Sequence, residues 1–431
     1  MTEPAPNTKS STSRWITGAL ALVAMLVLLA QLVQAVRQLW MDVPYDFEVY
    51  WSVSRMLAAG ETDLYGWQEG RNNWVYLYPP FFAAIFVPFG QLDLSFACGL
   101  WMLLQIPLLV LCLLGLFKLV GADTFERRAL VAACALAPLF MAYHRNMGWG
   151  QVNLLTLVLS IWGLHAVLRR RAALGGAAIA IGVHTKLVPL GLLPIMLAQR
   201  RLRVLAATCV IGVCLVLAPA FYLVPRLGAV DGVGKAITMN IEYATVLVAP
   251  RTVTRDASGM GPDNHNNLAP SATLERFSRH ASATLAPRLV RWIGGLFGLA
   301  TYAVALVLAW RRREELTTVG VSGLALVATV FTQVTVWHYH LVMMAIPLAA
   351  LAMMHERRQT PRWVLPLACG VLAACFNLTL SDRLALLTQL REWGVTLAAL
   401  MAVWVLMAWS CWRARPDDTP DAVSPDARVK A

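Results

Sequence analysis

Residues 16–36 read ITGALALVAMLVLLAQLVQAV, a run of 21 residues without a single charged side chain. A helix needs about 20 such residues to cross the hydrocarbon core of a bilayer. The stretch between Arg203 and Pro225 has the same character, and comparable runs recur along the 431-residue chain. Because the backbone inside lipid must satisfy its hydrogen bonds within each segment, these runs predict an all-α polytopic membrane protein.

Composition supports this class. The chain is 58% hydrophobic and 14% charged, whereas soluble domains carry about 25% charged residues. The net charge of +12 could indicate nucleic-acid binding, but the basic residues lie in short runs between apolar segments, as membrane topology requires. We therefore expect a lipid bilayer and no nucleic acid as a partner. The eight cysteines fall inside apolar runs without a Cys-x-x-Cys pair, which argues against disulfides and thiolate metal sites.

The arginine-rich runs also predict the topology, because basic loops mark the cytoplasmic side. Placing all of them inside predicts about twelve transmembrane helices, within a range of roughly 10 to 13, and both termini in the cytoplasm. The predicted spans are approximately 15–40, 95–119, 129–143, 151–168, 172–184, 186–199, 204–224, 289–310, 316–333, 341–354, 363–380 and 393–412.

The segments between the spans complete the predicted domain organisation. Residues 1–14 and 413–431 are predicted to be disordered cytoplasmic tails around a transmembrane domain of residues 15–412. A first outer loop (41–94) contains residues 79–90, which are too few to span and are predicted to form a re-entrant or interfacial helix opened by two prolines. The long outer loop comprises residues 225–288, and a loop of this length is typically functional or disordered.

An acidic residue follows the first span, in the sequence PYDFEVYW of residues 44–51. Asp46 could act as a general base at the membrane surface. It could equally cap a helix such as 47–59, because Asp is a favoured N-cap residue. Glu48 and Asp42 lie close by, and spacing alone does not choose among the three acids.

Two further polar stretches interrupt the apolar pattern. Residues 144–153 read HRNMGWGQVN, a donor-rich turn that is costly at membrane depth unless it lines a cavity. Arg145 could pair with a phosphate or extend to the interface. Lys186 stands between apolar residues and could bind phosphate as a point charge, or simply lie at the outer end of a short hairpin around residues 184–186.

Aromatic and histidine residues mark the remaining candidates. Tyr76-Leu77-Tyr78 could anchor the protein at the interface or form a wall for a sugar or a polyprenyl chain. Residues 337–340 read WHYH, and His338 and His340 do not share one helix face, so this pair alone is not expected to bind a metal. Either histidine could hydrogen-bond a phosphate or a carboxylate.

Several catalytic signatures are missing from the sequence. It contains no Walker loop, no His-Glu-x-x-His, no Gly-x-Ser-x-Gly and no Gly-x-Gly-x-x-Gly after a strand. Their absence argues against nucleotide chemistry, zinc proteolysis and serine hydrolysis, and it fits a lipid-linked sugar as donor. We expect no cofactor and no metal.

Taken together, these motifs resemble glycosyltransferase family 87. The resemblance is carried by Asp46-Phe47-x-x-Tyr50, Gly60-x-x-Asp63-Leu64-Tyr65, Tyr76-x-Tyr78-Pro79-Pro80-Phe81, Asn146-x-x-x-Gly150-Gln151-Val152-Asn153 and Lys186-x-x-Pro189. It implies a GT-C fold with juxtamembrane helices in the outer loops, a polyprenyl-phosphate-linked mannose as donor, and a glycolipid or glycan acceptor. It also implies an inner-membrane location with the active site on the outer, periplasmic face.

The resemblance further implies an inverting transfer with roles for particular residues. Asp46 would be the general base, and His338 or His340 would take the place of a functional histidine, which the WHYH sequence does not assign to either one. Arg145, Lys186 and Arg276 would bind the donor phosphate. The predicted substrate-binding residues are Tyr50, Tyr78, Asn146, Gln151, Asn153 and Asn266.

Two rival functions stay open at this point. A transporter or flippase of lipid-linked glycans would show pseudo-symmetric halves and charges in the middle of its spans, whereas the charges here gather at one predicted face. A GT-C transferase of another sugar differs by a few hydrogen bonds that the sequence does not place.

Overall fold

The computed structural model describes residues 11–65, 76–248, 267–280, 286–333, 336–377, 390 and 394–414, and the regular structure in these ranges is helical. The predicted all-α class is confirmed. The α-helices are α1 (Ser11–Gln38), α2 (Tyr45–Ala59), α3 (Pro80–Gly90), α4 (Leu94–Val120), α5 (Phe125–Leu136), α6 (Phe140–Gly148), α7 (Asn153–Leu168), α8 (Ala172–Thr185), α9 (Leu192–Ala198), α10 (Leu202–Val216), α11 (Ala220–Leu227), α12 (Ala229–Glu242), α13 (Pro270–His280), α14 (Pro287–Arg311), α15 (Glu315–Phe331), α16 (Ala345–Glu356), α17 (Val364–Asn377) and α18 (Val395–Arg413).

Three short helical segments of other geometry connect them. Val188–Gly191 and His338–Met344 are 3-10 helices that lead into α9 and α16, and a π-helical turn, Tyr243–Val248, follows α12. Val188–Gly191 begins two residues after Lys186, and His338–Met344 contains three of the residues 337–340. Both stretches were candidates in the sequence.

Six helical stretches in the described ranges are long and apolar enough to cross a membrane, and two of them each combine two consecutive elements. They are Arg14–Gln38, Leu94–Val120, Leu202–Leu227, Trp292–Arg311, His338–Glu356 and Val395–Arg413. The other apolar helices have 10–17 residues, and 17 residues of α-helix extend for about 25 Å, less than the ~30 Å of a hydrocarbon core. The multi-pass class is thus established, whereas the count of about twelve spans stays a prediction.

The predicted span of residues 129–143 is not one continuous helix, because α5 ends at Leu136 and α6 begins at Phe140. Pro138 lies in the break, and proline both lacks the N–H that a helix needs and clashes with the preceding turn. The break in the chain that was predicted around His184–Lys186 is present, because α8 ends at Thr185 and Lys186 is extended. The predicted short helix after Pro79-Pro80 is α3, most of which is buried.

The buried apolar residues form two clusters. The larger one fills the space among α4, α5, α7, α15, α16 and neighbouring helices. The smaller one joins α2 and α3 to the beginning of α4, to Val152 and to residues of α11 and α12. Helices α2 and α3 therefore have a core of their own beside the main bundle.

Basic residues gather at one end of the bundle. Arg127 pairs with Glu356 at 3.1 Å, and the Arg312 guanidinium donates to Ala414 O at 3.2 Å. Three arginines at helix ends, Arg170, Arg200 and Arg358, adopt φ of 58°, a left-handed conformation that costs an L-residue about 1–2 kcal/mol. The helices α4, α7 and α16 all reach this end with their C-terminal residues, so their N-terminal ends lie at the other end of the bundle.

The crossing of α15 and α16 depends on a glycine. A Cβ on Gly323 would lie 2.4 Å from Pro347 Cδ and 2.7 Å from Pro347 N. We expect Gly323→Ala to lower the thermal unfolding midpoint in detergent, because overpacking a tight core costs about 1–3 kcal/mol. Gly295→Ala on α14 is the matched control, since nothing lies within 4 Å of its added Cβ. Equal midpoints for the two variants would contradict the described crossing.

Candidate functional site

Asp46 lies in the first turn of α2, a helix whose beginning and end are both marked by residues in the sequence. Pro44 precedes the helix in an extended conformation, and Gly60 ends it with φ of 91°. Phe47 and Tyr50 face the smaller apolar cluster, which leaves Asp46 partly buried at its edge. The alternative that Asp46 is the N-cap of this helix is wrong, because Pro44 holds that position.

The carboxylate of Asp46 is bound by a residue that is distant in sequence. Gln151 Nε2 donates to Asp46 Oδ2 at 2.5 Å. Gln151 reaches it because Gly150 turns the chain with φ of 66° and because its missing side chain lets the turn approach α2, where an added Cβ would lie 3.2 Å from Phe47 Cβ. Trp101 Nε1 fixes the same turn by donating to Gly150 O at 2.7 Å.

A continuous chain of polar side chains extends from this bond. Tyr78 Oη donates to Gln151 Oε1 at 3.3 Å, and the Tyr50 and Tyr78 hydroxyls are 2.7 Å apart. Since the single Tyr78 hydrogen is given to Gln151, Tyr50 donates to Tyr78. We call the whole chain the Asp46 network, and its members are Asp46, Tyr50, Tyr78, Gln105, Asn146, Gln151, Asn153 and Lys186.

The amides of the network fix one another in a single orientation. Asn153 Nδ2 donates to Asn146 Oδ1 at 3.1 Å and to Gln151 Oε1 at 3.4 Å. Asn146 Nδ2 donates to Gln105 Oε1 at 3.2 Å and to Gln151 O at 3.4 Å. Flipping any of these amides would set two donors or two acceptors against each other. The network therefore holds Gln151 with its N–H groups toward Asp46.

Lys186 closes the other end of the network. Its Nζ donates to Asn153 Oδ1 at 2.7 Å and lies 5.7 Å from the centre of the Tyr78 ring and 5.9 Å from that of Tyr339. An ammonium has three hydrogens, so one bond to Asn153 leaves two for a ligand. The position at the end of α8 places this cation near the Asp46 carboxylate.

Burial changes the charge states of both groups. Burial raises the pKa of Asp46 to about 6, against the opposing effects of the Gln151 hydrogen bond and the Lys186 charge. Burial lowers the pKa of Lys186 to about 7, and the Asp46 charge opposes that shift. Near neutral pH, Asp46 is thus ionised and able to accept a proton. A carboxylate with a pKa just below the working pH is well suited to general base catalysis.

Residues 337–340 lie on the same side of the bundle as Lys186. The Tyr339 ring lies between the ammonium, at 5.9 Å, and the His340 ring, at 4.9 Å. Trp337 N donates to His340 Nδ1 at 3.2 Å, so in the neutral ring Nε2 carries the hydrogen and can donate it. His338 and His340 are both buried.

The other predicted phosphate ligands lie elsewhere. In the described part of the chain, no hydrogen bond joins Arg145 to the Asp46 network. Arg145 lines a pocket between α1 and α6. Arg276 is buried and donates to Asn267 O at 2.8 Å and to Thr273 Oγ1 at 3.2 Å. The predicted substrate ligand Asn266 lies outside the described residues.

The segment that contains Arg276 is nevertheless tied to the histidine region. Asn267 Oδ1 accepts from Val336 N at 3.0 Å, and Leu268 N donates to Val336 O at 2.7 Å. Arg276 therefore stabilises a loop that holds the chain directly before Trp337. Its role at the phosphate stays a prediction.

The two rival candidates for the base, Asp42 and Glu48, have no described hydrogen bond from their carboxylates to the network. Asp42 is exposed, and its backbone carbonyl accepts from Gln38 at 3.2 Å. Glu48 is partly buried on α2, two residues after Asp46 and therefore about half a turn around the helix from the Gln151 contact. Of the three acids that spacing left open, Asp46 is the one that Gln151 contacts.

Sequence reasoning missed Gln105 and did not assign Tyr339. Gln105 is fully buried on α4, and its Nε2 has no hydrogen-bond partner among the residues that the structure describes. The signal was present, because Gln105 is the sole amide between Leu94 and Val120 and lies in the apolar middle of that helix, between Ser95 and Lys118 near its ends. A polar residue inside a membrane helix is a functional candidate by default.

A metal site does not emerge from the described residues, in which no group of three or more His, Cys, Asp or Glu side chains lies together. The Asp46 network offers one carboxylate among amides, phenols and an ammonium. Hard cations such as Mg²⁺ and Ca²⁺ prefer several oxygen ligands, whereas a lone carboxylate and an ammonium are groups that could accept a proton and bind an anion.

The turn at Gly150 gives a direct test of the site's geometry. We expect Gly150→Ala to lower the thermal unfolding midpoint, because the left-handed conformation costs about 1–2 kcal/mol with a Cβ and the added atom would lie 3.0 Å from Met102 Cε. Gly370→Ala on α17 is the control, since its Cβ meets nothing within 4 Å and alanine favours a helix. A Gly150→Ala variant as stable as this control would contradict the described turn.

Comparisons with known proteins place the chain in a family. The profile of glycosyltransferase family 87 matches residues 76–336, which is more than half of the chain. The matched region contains Gln151, Asn153 and Lys186, whereas Asp46 precedes it and joins it through the Gln151 hydrogen bond. No match was found among curated proteins. By the match over residues 76–336, the chain belongs to glycosyltransferase family 87 and is a membrane glycosyltransferase.

Proposed function

We propose that this glycosyltransferase moves a hexose, namely mannose, from a polyprenyl-phosphate-linked donor to an acceptor hydroxyl on the outer face of the cell membrane, with inversion at the anomeric carbon. The observation that carries the proposal is the Asp46–Gln151 hydrogen bond. The bond belongs to a network that contains one partly buried carboxylate and, at its other end, one lysine. These are the two groups that proton removal and phosphate departure need.

The chemistry assigns one step to each group. The acceptor hydroxyl gives its proton to the Asp46 carboxylate while its oxygen forms a bond to the anomeric carbon. The bond between that carbon and the phosphate oxygen breaks, and the electron pair leaves with the polyprenyl phosphate. Lys186 stabilises the negative charge that develops on the leaving oxygen, as positioned cations do in other group transfers.

In this proposal, the histidine region also stabilises the negative charge on the leaving phosphate. His340 Nε2 carries a hydrogen because Nδ1 accepts from Trp337 N, so the ring can donate to the phosphate from the side of Tyr339. His338 is the alternative donor in this region. Arg145 and Arg276 are given no step in the proposed mechanism: Arg145 lines a pocket beside α1, and Arg276 donates to Asn267 and Thr273.

The remaining network members would bind sugar or acceptor hydroxyls. Tyr50, Tyr78, Asn146, Gln151 and Asn153 are all buried and already fix each other's orientation. Such preorganised donors and acceptors discriminate between hydroxyl positions at little entropic cost. In this proposal, these side chains select the sugar by hydrogen bonds to its hydroxyl groups.

The orientation in the membrane follows from the basic end of the bundle. Arginine-rich loops mark the cytoplasmic side, and Arg127, Arg312 and Arg358 lie at the end opposite the Asp46 network. The network would then face the outside, where a lipid-linked sugar presents its head group, and both termini would be cytoplasmic.

The first test is transfer by purified protein in nanodiscs, with radiolabelled polyprenyl-phosphate-mannose and a membrane lipid extract. We expect Asp46→Asn to lower transfer about 10²- to 10⁴-fold, because that is the usual contribution of a general base, while donor binding persists. Asp42→Asn, which changes an exposed acid on the same loop, is the control and should transfer at the wild-type rate.

Two results would count against this proposal. Near-normal turnover by Asp46→Asn would exclude the general-base role. Donor that crosses the bilayer of sealed vesicles without any labelled product would support the flippase alternative. A different labelled sugar transferred faster than mannose would leave the mechanism intact and correct the donor.

The pH dependence of transfer provides a second test. Asp46 must be deprotonated to act as a base, so kcat/KM should rise with pH through a midpoint near 6. Lys186 must be protonated to hold the phosphate, so kcat/KM should fall again above about 7. Lys186→Arg should remove the alkaline fall, because the guanidinium keeps its charge, and leave the acid limb in place. An acid limb near pH 4, the ordinary range of Asp, would contradict the described burial of Asp46.

A further inference from the structure

A second polar pocket lies apart from the Asp46 network. It has a volume of about 340 Å³ and opens between the last turns of α1 and α6. Its lining includes two amides from α1 and a histidine, an arginine and an indole from α6 and the residue after it, namely Gln34, Gln38, His144, Arg145 and Trp149.

The charge of this pocket is positive. Arg145 lines it, Arg37 lies close enough to act electrostatically on His144, and no acidic side chain is among its lining residues. Burial, together with the charges of Arg145 and Arg37, lowers the pKa of His144, so the neutral imidazole is a hydrogen-bonding group beside the guanidinium. Amides, an imidazole and a guanidinium are donors that suit a phosphate.

The pocket opens at the depth of lipid head groups. Helix α1 ends at Gln38, and Trp40, which follows it, is 77% exposed. Trp149 at the pocket itself is 37% exposed. Exposed tryptophans beside a membrane span favour the interface between hydrocarbon and water, which is also where phospholipid phosphates lie. A ligand of this pocket can therefore keep its acyl chains in the bilayer.

We propose that the pocket between α1 and α6 binds the phosphate of an anionic membrane phospholipid, through Arg145 with Gln34, Gln38 and His144. The anionic class follows from the lining, since a choline ammonium would meet Arg145 and Arg37 without a carboxylate to balance it. This gives Arg145 a ligand that is distinct from the donor phosphate assigned to Lys186.

The test is lipid retention, which does not depend on transfer activity. Purified protein would be mixed with phosphatidylglycerol in detergent and the bound lipid counted by native mass spectrometry across a concentration series. We expect about tenfold weaker retention by Arg145→Gln, the loss expected for a charge-assisted hydrogen bond. Phosphatidylcholine should bind more weakly than phosphatidylglycerol to the wild type.

Two control variants keep the result specific. Arg169→Gln removes an exposed arginine at the end of α7 that is remote from the pocket, and it should retain the lipid like the wild type. Arg145→Lys keeps the charge but loses the guanidinium fork, and it should show a smaller loss. If Arg145→Gln does not fold, as judged by its thermal midpoint, the Arg145→Lys variant carries the comparison.

Four outcomes would overturn the proposal. They are equal retention by Arg145→Gln and wild type, an equal loss in Arg169→Gln, displacement of the lipid by equimolar polyprenyl-phosphate-mannose, and displacement by equimolar inorganic phosphate. The third would identify the pocket as the donor-phosphate site, and the fourth would make free phosphate the ligand. Failure of the transferase assay would leave this measurement unaffected.

Discussion

The hydrogen bond from Gln151 to Asp46 joins two parts of the chain that are 105 residues apart. It requires α2 to be packed on α3, Gly150 to turn in the left-handed region, and Trp101 to fix that turn. A buried polar group without a partner costs about 1–3 kcal/mol, so a carboxylate at the edge of an apolar cluster needs such a donor. Gln151 is itself held in place by Asn153, Asn146 and Gln105, because each of these amides is oriented by a hydrogen bond to the next.

For function, the important result is that two opposing effects act on the pKa of the Asp46 carboxyl group. Burial favours the neutral acid, whereas the Gln151 hydrogen bond and the Lys186 charge favour the anion. A fully solvated aspartate would be ionised but weakly basic, and a fully buried one would hold its proton at neutral pH. The intermediate environment gives a base that is both ionised and able to take up a proton, with a cation nearby for the leaving phosphate.

Much of this arrangement could be predicted from the sequence. The apolar runs gave the all-α membrane class, and the motif resemblance selected Asp46, Gln151, Asn153 and Lys186, which the structure joins by hydrogen bonds. The break between α5 and α6 was missed because the apolar pattern continues through Pro138. The position of Arg145 in the pocket beside α1 was not predictable, because adjacent residues on a helix point about 100° apart and spacing along the chain does not say which of them meets the network. Gln105 was visible as a polar residue in an apolar helix, but its partner Asn146 depends on a tertiary contact.

The most direct measurement is an infrared titration of the Asp46 carboxyl group, taken as the difference between wild type and Asp46→Asn. The carboxylic acid C=O band should disappear as pH rises, with a midpoint near 6. In Gln151→Leu the same midpoint should move to higher pH, because the hydrogen bond that favours the anion is gone. A midpoint near 4, where ordinary aspartates titrate, or an unchanged midpoint in Gln151→Leu, would contradict the central role of this bond.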